Sequence, residues 1–201
     1  MARSDTLVVL ANRCRGALGW FHFGSVAERF LSFGSSPLLF VRGHSWPVNL
    51  NAPKPLGHVL TVLDGGAETE CILKPAAAIA AAVQAKHTLL SVVRGTPYYG
   101  IPWIEKEQEA AAYLNRVADR LRDRGSSDVA TELVSSDEAT GQVILAYAQR
   151  SGANVIAIVA RRQSGLPGFF RREPAEYLIR NGMIPVLIAR TDADERRLAT
   201  T

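Results

Sequence analysis

The chain has 201 residues, 47% of them apolar, with a formal net charge of +4. That is enough apolar material for the core of one large domain, yet no apolar run approaches the ~18 residues of a membrane span. The excess charge is scattered arginine rather than a basic stripe with interleaved aromatics, so no nucleic-acid partner is expected. The nearest approach, Gly168-Phe169-Phe170-Arg171-Arg172, reads as packed phenylalanines beside solvated arginines. Cys14 and Cys71 lie far apart in no CxxC spacing and read as reduced packing residues. The opening MARSDT is followed by no signal-peptide pattern, so the expected location is cytoplasmic.

Taken in order, Leu7–Leu10 is a short apolar run and a candidate strand. A loop follows, then a helix over 25–33 with Val26, Ala27, Phe30 and Leu31 on one face. Gly34-Ser35-Ser36 ends it, and Leu38–Val41 is the next strand. Residues 43–57 contain three prolines and no periodicity, which predicts a stiff linker. His58–Leu63 is a strand ending in Asp64-Gly65-Gly66. A helix is predicted from 68 to about 86, with Pro75 kinking it or marking its true start. Thr88–Val93 is a strand and 94–103 a loop. A long amphipathic helix is predicted over 104–124, with Ala110, Leu114, Val117, Ala118 and Leu121 inward. Val129–Leu133 alternates like a strand, and Ser135-Ser136-Asp137 reads as the start of a helix running to Ser151 and stopped by Gly152. Ile144, Leu145 and Ala148 point to its core side. Val155–Val159 is a bounded apolar run, followed by a loop carrying Gly165, Pro167 and Gly168 among four arginines. Pro174 opens a short helix, Asn181-Gly182 supplies a stop that tolerates positive φ, and Pro185 leads into a last strand, Val186–Ala189.

The beginning repeats the end. A gapless shift of 148 superimposes Arg13 on Arg161, Leu18 on Leu166, Phe21 on Phe169, Ala27-Glu28 on Ala175-Glu176, Gly34 on Gly182, Pro37 on Pro185, Leu39 on Leu187 and Arg42 on Arg190. Chance would give about two such matches, so this is an internal repeat whose first copy is short. The expected division is a partial copy over 1–42, a linker over 43–57, a complete unit over 58–190 and a tail over 191–201.

From His58 on, strands alternate with helices, which predicts an α/β domain with a five-stranded, parallel, doubly wound sheet. In such sheets a ligand sits beyond the carboxyl ends of the strands, where the strand order reverses. The first strand ends at Asp64 and the fourth at Ala160-Arg161; as neighbours they would open onto one crevice.

Three places give the chain a resemblance to the universal stress protein family in its tandem form. They are Val62-Leu63-Asp64-Gly65-Gly66; the ending Gly24-Ser25-Val26-Ala27-Glu28-Arg29 with Ser36-Pro37-Leu38-Leu39-Phe40-Val41-Arg42; and its repetition in Ala175-Glu176-Tyr177-Leu178-Ile179-Arg180 with Ile184-Pro185-Val186-Leu187-Ile188-Ala189-Arg190. The resemblance implies an adenine nucleotide alpha hydrolase-like fold extended by a partial second copy of two strands and one helix. It also implies that the last strands of the two units pair antiparallel, Leu38–Val41 on Val186–Ala189. Leu7–Leu10 would then lie outermost in a sheet of about seven strands. The apolar edge so created calls for a cover, a homodimer mate or another protein partner.

ATP-binding members of that family carry G-x2-G-x9-G-[ST], whose glycines let backbone N–H groups reach phosphate oxygens. Both copies here depart from it. Ala11 and Cys14 replace the early glycines of the first, although Gly24-Ser25 is intact; Arg13 and Arg15 flank that remnant. In the second the early glycines fall near Val159 or Ala160 and near Arg162 or Gln163, and Arg172-Glu173 replaces Gly-Ser. Losing two hydrogen bonds to a charged group costs roughly 3–6 kcal/mol, and a carboxylate at the helix start repels phosphate. The implied nucleotide site is Asp64, Gly65, Val92, Ala160, Arg161, Arg162, Gly165 and Gly168, for ATP or AMP. Asp64 reads equally as a cap for the helix after it.

No catalytic constellation emerges. His22, His44, His58 and His87 share no metal-ligand spacing, and neither GxSxG nor GxxxxGK[ST] occurs. His58 and His87 flank strand starts and read as solvated or capping. The expectation is a non-enzymatic stress-response or regulatory protein with weak or absent nucleotide binding. The alternatives are an ATP- or AMP-binding regulator that uses arginines for glycines, and a module working beside a membrane transporter.

Overall fold

A computed structural model describes residues 6–12, 36–42, 56–95, 101–160 and 174–190. The strands are β1 (Val8–Asn12), β2 (Leu38–Arg42), β3 (His58–Val62), β4 (Lys86–Arg94), β5 (Val129–Ser136), β6 (Val155–Ala160) and β7 (Val186–Arg190). The described helices are α1 (Leu73–Ala82), preceded by a 3-10 segment Ala67–Ile72, α2 (Ile101–Asp123), α3 (Thr140–Ser151) and α4 (Pro174–Asn181). All seven strands form one sheet in the order β1-β2-β7-β6-β3-β4-β5.

Parallel strands covered on both faces read as unbroken apolar runs, and every residue of β3 and of β6 is buried. β3 pairs with β4 on one side and β6 on the other, all parallel, and β6 pairs with β7. β2 then meets β7 antiparallel, with Leu39 opposite Leu187, and β1 lies outermost. Two hydrophobic layers sandwich the sheet. On one face Ile144, Leu145 and Ala148 of α3 and Leu178 and Ile179 of α4 cover Leu60, Ile156, Val186 and Ile188, and the layer continues into Leu38 and Phe40. On the other, Ile72, Ala76 and Ala80 join Leu114, Val117 and Ala118 of α2 over Val59, Leu89, Val155, Ala157 and Leu187.

Several boundaries move for identifiable reasons. Pro75 stands in the first turn of α1, where its missing N–H is spare, so it marks a start and not a kink. The chain leaves α1 through Gln84 at φ 51°, and β4 begins at Lys86. α2 starts at Ile101, inside the expected loop. Ser135 and Ser136 belong to β5 and open no helix, because the ladder to β4 runs on to Arg94 opposite Ser136. Gly152 ends α3 at φ 69°. Gly182 is not at positive φ; a Cβ there would lie 2.6 Å from the Leu178 carbonyl oxygen, so closeness of approach excludes other residues.

The two strand histidines are neither solvated nor capping. His58 is 7% and His87 1% exposed. The His58 Nδ1–H donates to the Ser151 carbonyl at 3.2 Å, which leaves Nε2 to accept from the Thr88 hydroxyl at 2.8 Å. His87 Nε2 lies 2.7 Å from Thr61 Oγ1. Each imidazole finds its partner on the neighbouring strand. The expected helix over 25–33, the linker at 43–55 and the tail at 191–201 lie outside the described residues.

Candidate functional site

The β3–β4 ladder stops at Val62 opposite Leu90, with one further bond from the Leu63 amide to the Leu90 carbonyl, while β4 runs on to Arg94. The β3-facing backbone of Val92 is thereby left beyond the end of its neighbour. α2 packs back over this overhang. Together they line an open cavity of about 640 Å³ at the carboxyl ends of β3 and β4.

Asp64, Gly65 and Val92, three of the residues expected to contact nucleotide, line this cavity together. Gly65 sits at φ 88°, a conformation that side chains with a Cβ rarely adopt. The turn is fixed by Asp64, whose Oδ1 accepts from the Gly66 amide at 3.0 Å and from the Thr69 hydroxyl at 2.9 Å. Asp64 thus ties the loop to the 3-10 segment and at the same time borders the cavity. Ala160 ends β6, the strand beside β3, and is buried. The switch in strand order falls between those two strands, as the position of Asp64 and Ala160 requires. Arg161, Arg162, Gly165 and Gly168, and the first-copy residues Arg13, Arg15, Gly24 and Ser25, lie outside the described residues.

The structure adds residues that the sequence did not single out. Ser91 and Arg94 come from β4, and Lys106, Glu109, Tyr113 and Arg116 from one face of α2. The signal was present as a spacing of three and four along the helix, beside the apolar stripe that was read. Among the described residues none of the cations Arg94, Lys106 and Arg116 makes an ion pair. Tyr113 carries a buried hydroxyl that lies beside the Glu70 carboxylate and Thr69. Burial, with the Glu70 carboxylate second, pushes its pKa up to about 12, so the phenol stays protonated and able to donate. The Glu70 carboxylate itself is paired with Arg120 at 2.7 Å.

The lining offers a protonated phenol and three cations that make no ion pair among the described residues, in a volume suited to a small molecule. Among the described residues no group of three or more His, Cys, Asp or Glu side chains is placed to hold a metal ion. Nor is any described helix long and apolar enough to cross a membrane.

The family description "Universal stress protein family" matches residues 55–190. The chain belongs to the universal stress protein family. A universal stress protein from Archaeoglobus fulgidus is similar in fold, with TM-score 0.68 and 16% identity over 92% of this chain and 62% of that one. This chain therefore spans less than two thirds of the length of that relative. A universal stress protein solved in complex with cAMP matches with TM-score 0.55 and 20% identity, covering 68% of this chain and 98% of that one. A universal stress protein from Archaeoglobus fulgidus in complex with dAMP matches with TM-score 0.51 and 19% identity over 66% of this chain and 96% of its own. No curated protein matches the chain. The seven-stranded, mostly parallel sheet with its helices is the universal stress protein architecture, adenine nucleotide alpha hydrolase-like in type.

Proposed function

We propose that this universal stress protein is a non-enzymatic stress-response regulator that binds an adenine nucleotide weakly in the β3–β4–α2 cleft and acts through protein contacts at its sheet edge. The observation that carries the reading is the convergence of Asp64, Gly65 and Val92 on one cavity with the protonated Tyr113 phenol and the cations Arg94, Lys106 and Arg116, which make no ion pair among the described residues. Similar proteins have been solved with cAMP and with dAMP, ligands of the size and charge that this lining suits. Weak binding follows from the loop sequence, where Arg172-Glu173 stands in place of Gly-Ser and removes amide donors to phosphate. Cytoplasmic location and the absence of a reaction belong to the same reading.

Isothermal titration of the whole chain with ATP and AMP tests it. AMP is expected to bind in the range from tens of micromolar to millimolar. Arg116→Ala removes one charged partner and should weaken binding about tenfold to a hundredfold, from a charge-assisted bond worth roughly 1.5–3 kcal/mol. Arg161→Ala/Arg162→Ala reports whether the loop after β6 shares the load. No heat at millimolar nucleotide would end the nucleotide part of the reading.

A further inference from the structure

The α2 wall of the cleft carries its positive charge in two separate places. Lys106, Glu109, Tyr113 and Arg116 follow one another at intervals of three and four. At 3.6 residues per turn they fall within about 80° of arc, so they form one stripe along the helix. Lys106 and Arg116, its two ends, stand about 15 Å apart along the axis. Ser91–Arg94 of β4 run past the ladder with β3 by about 13 Å. The stripe therefore covers the length of the overhang.

Each end has its own surroundings. β4 ends at Arg94 and α2 begins at Ile101, so Arg94 and Lys106 share the outer end of the cleft. Tyr113, one turn before Arg116, lies beside Glu70 and Thr69 of the 3-10 segment. Arg116 thus marks the inner end, where Asp64 and Gly65 follow β3. The carboxylates nearby are engaged elsewhere: Glu70 pairs with Arg120, Asp119 with Arg122, and Asp64 Oδ1 accepts from the Gly66 amide and the Thr69 hydroxyl. Between the two ends stands Glu109, about one turn from Lys106 and two from Arg116. Its carboxylate repels an anion placed midway, which keeps the two ends from sharing one phosphate. The same carboxylate accepts from hydroxyl or amino donors of an uncharged group lying across it.

We infer that the cleft is built for a nucleoside with two separated phosphates, on its 3′ and 5′ oxygens, one held by Arg94 and Lys106 and the other by Arg116, with the sugar over Glu109. The inference rests on the proposal that a nucleotide occupies this cleft and names which kind. A single phosphate serves one end and leaves the cations of the other without an anion. Phosphates joined in one chain must pass along Glu109 to reach both ends. Phosphates on either side of a ribose reach both and set the 2′ hydroxyl between them, where Glu109 can accept it. The Arg116 guanidinium can grip its phosphate with two parallel N–H bonds. The cavity, about 640 Å³, has room for such a ligand.

Calorimetry of the whole chain with AMP, ADP and adenosine 3′,5′-bisphosphate tests this. ADP carries two phosphates in one chain, so it separates spacing from number. The bisphosphate is expected to bind at least about tenfold more tightly than ADP. That preference should shrink as salt is raised, because Arg94, Lys106 and Arg116 are exposed. Arg94→Gln/Lys106→Gln should bring the ratio of the two affinities to about one, and circular dichroism melts establish that the variant folds. Equal affinities for ADP and the bisphosphate overturn the inference while leaving AMP binding intact. So does a ratio that the double variant does not change, and so does inorganic pyrophosphate binding as tightly as the bisphosphate, which would reduce the two ends to a general anion patch. Absence of heat with all three nucleotides overturns the nucleotide site itself, and this inference with it.

Discussion

Acid should destabilise this protein through His87. The ring is buried in β4 with Nε2 on Thr61 and Nδ1 without a partner, so a second proton would sit in an apolar layer with nothing to receive it. Burial, with His58 second, lowers its pKa from 6.5 to about 4. The unfolded chain takes up this proton around pH 6.5 and the folded one not until about 4. Between those values the unfolded state holds more protons, so stability falls as pH falls and is regained as pH rises. Integrated down to about pH 5 the loss from His87 is about 2 kcal/mol, approaching about 3 kcal/mol below pH 4. His58 is shifted in the same direction, chiefly by burial, and adds to the trend. Domains of this kind are stable by about 5–15 kcal/mol, so the effect is large enough to read. Urea denaturation of wild type and of Thr61→Val/His87→Leu, at about pH 7.5 and about pH 5, isolates it. Replacing both members of the pair with apolar groups should be nearly neutral at the higher pH. The variant should lose about 2 kcal/mol less than wild type on acidification. Equal losses in the two proteins would refute the assignment to His87.

Two further predictions concern packing. Alanine is the better helix former, yet Gly141→Ala should lower the melting temperature, because a Cβ there would lie 2.7 Å from the Tyr177 Cβ and 2.9 Å from its Cγ. Thermal melts should show the penalty shrinking in a Tyr177→Ala background, since the clash is with that ring. Asp64→Ala removes the acceptor for the Gly66 amide and the Thr69 hydroxyl and should cost about 1–2 kcal/mol in urea titration, most of it restored by Asp64→Asn, which keeps an oxygen.

Where a strand is sealed on both faces, the sequence carries its signature without help from the rest of the chain. β6 is apolar throughout and β3 carries only His58 and Thr61 as polar residues, both hydrogen-bonded, because parallel pairing on both sides and helices above and below leave no position for a polar side chain that lacks a partner. The antiparallel meeting of β2 and β7 was expected from the family resemblance, and its register sets Leu39 opposite Leu187, two positions that the internal repeat superimposes. What depends on a distant partner was not legible. His58 and His87 look like surface residues until Thr88 and Thr61, on the adjacent strand, supply their hydrogen bonds. Gly182 ends its helix as the sequence predicts, but what requires glycine there is the nearby Leu178 carbonyl and not a positive φ.

The site divides along the same line. Asp64 and Gly65 announce a turn by local chemistry alone, and the structure puts both on the cavity. Lys106, Glu109, Tyr113 and Arg116 share a helix face that in isolation is indistinguishable from a solvated one; only the overhang of β4 past β3 turns it into a wall. That overhang also explains why a cleft persists where the glycine loop has lost its motif. Among the described residues the cavity is made by unequal strand lengths and a helix. Titration of Arg116→Ala beside Arg161→Ala/Arg162→Ala therefore separates what the cleft contributes to affinity from what the loop contributes.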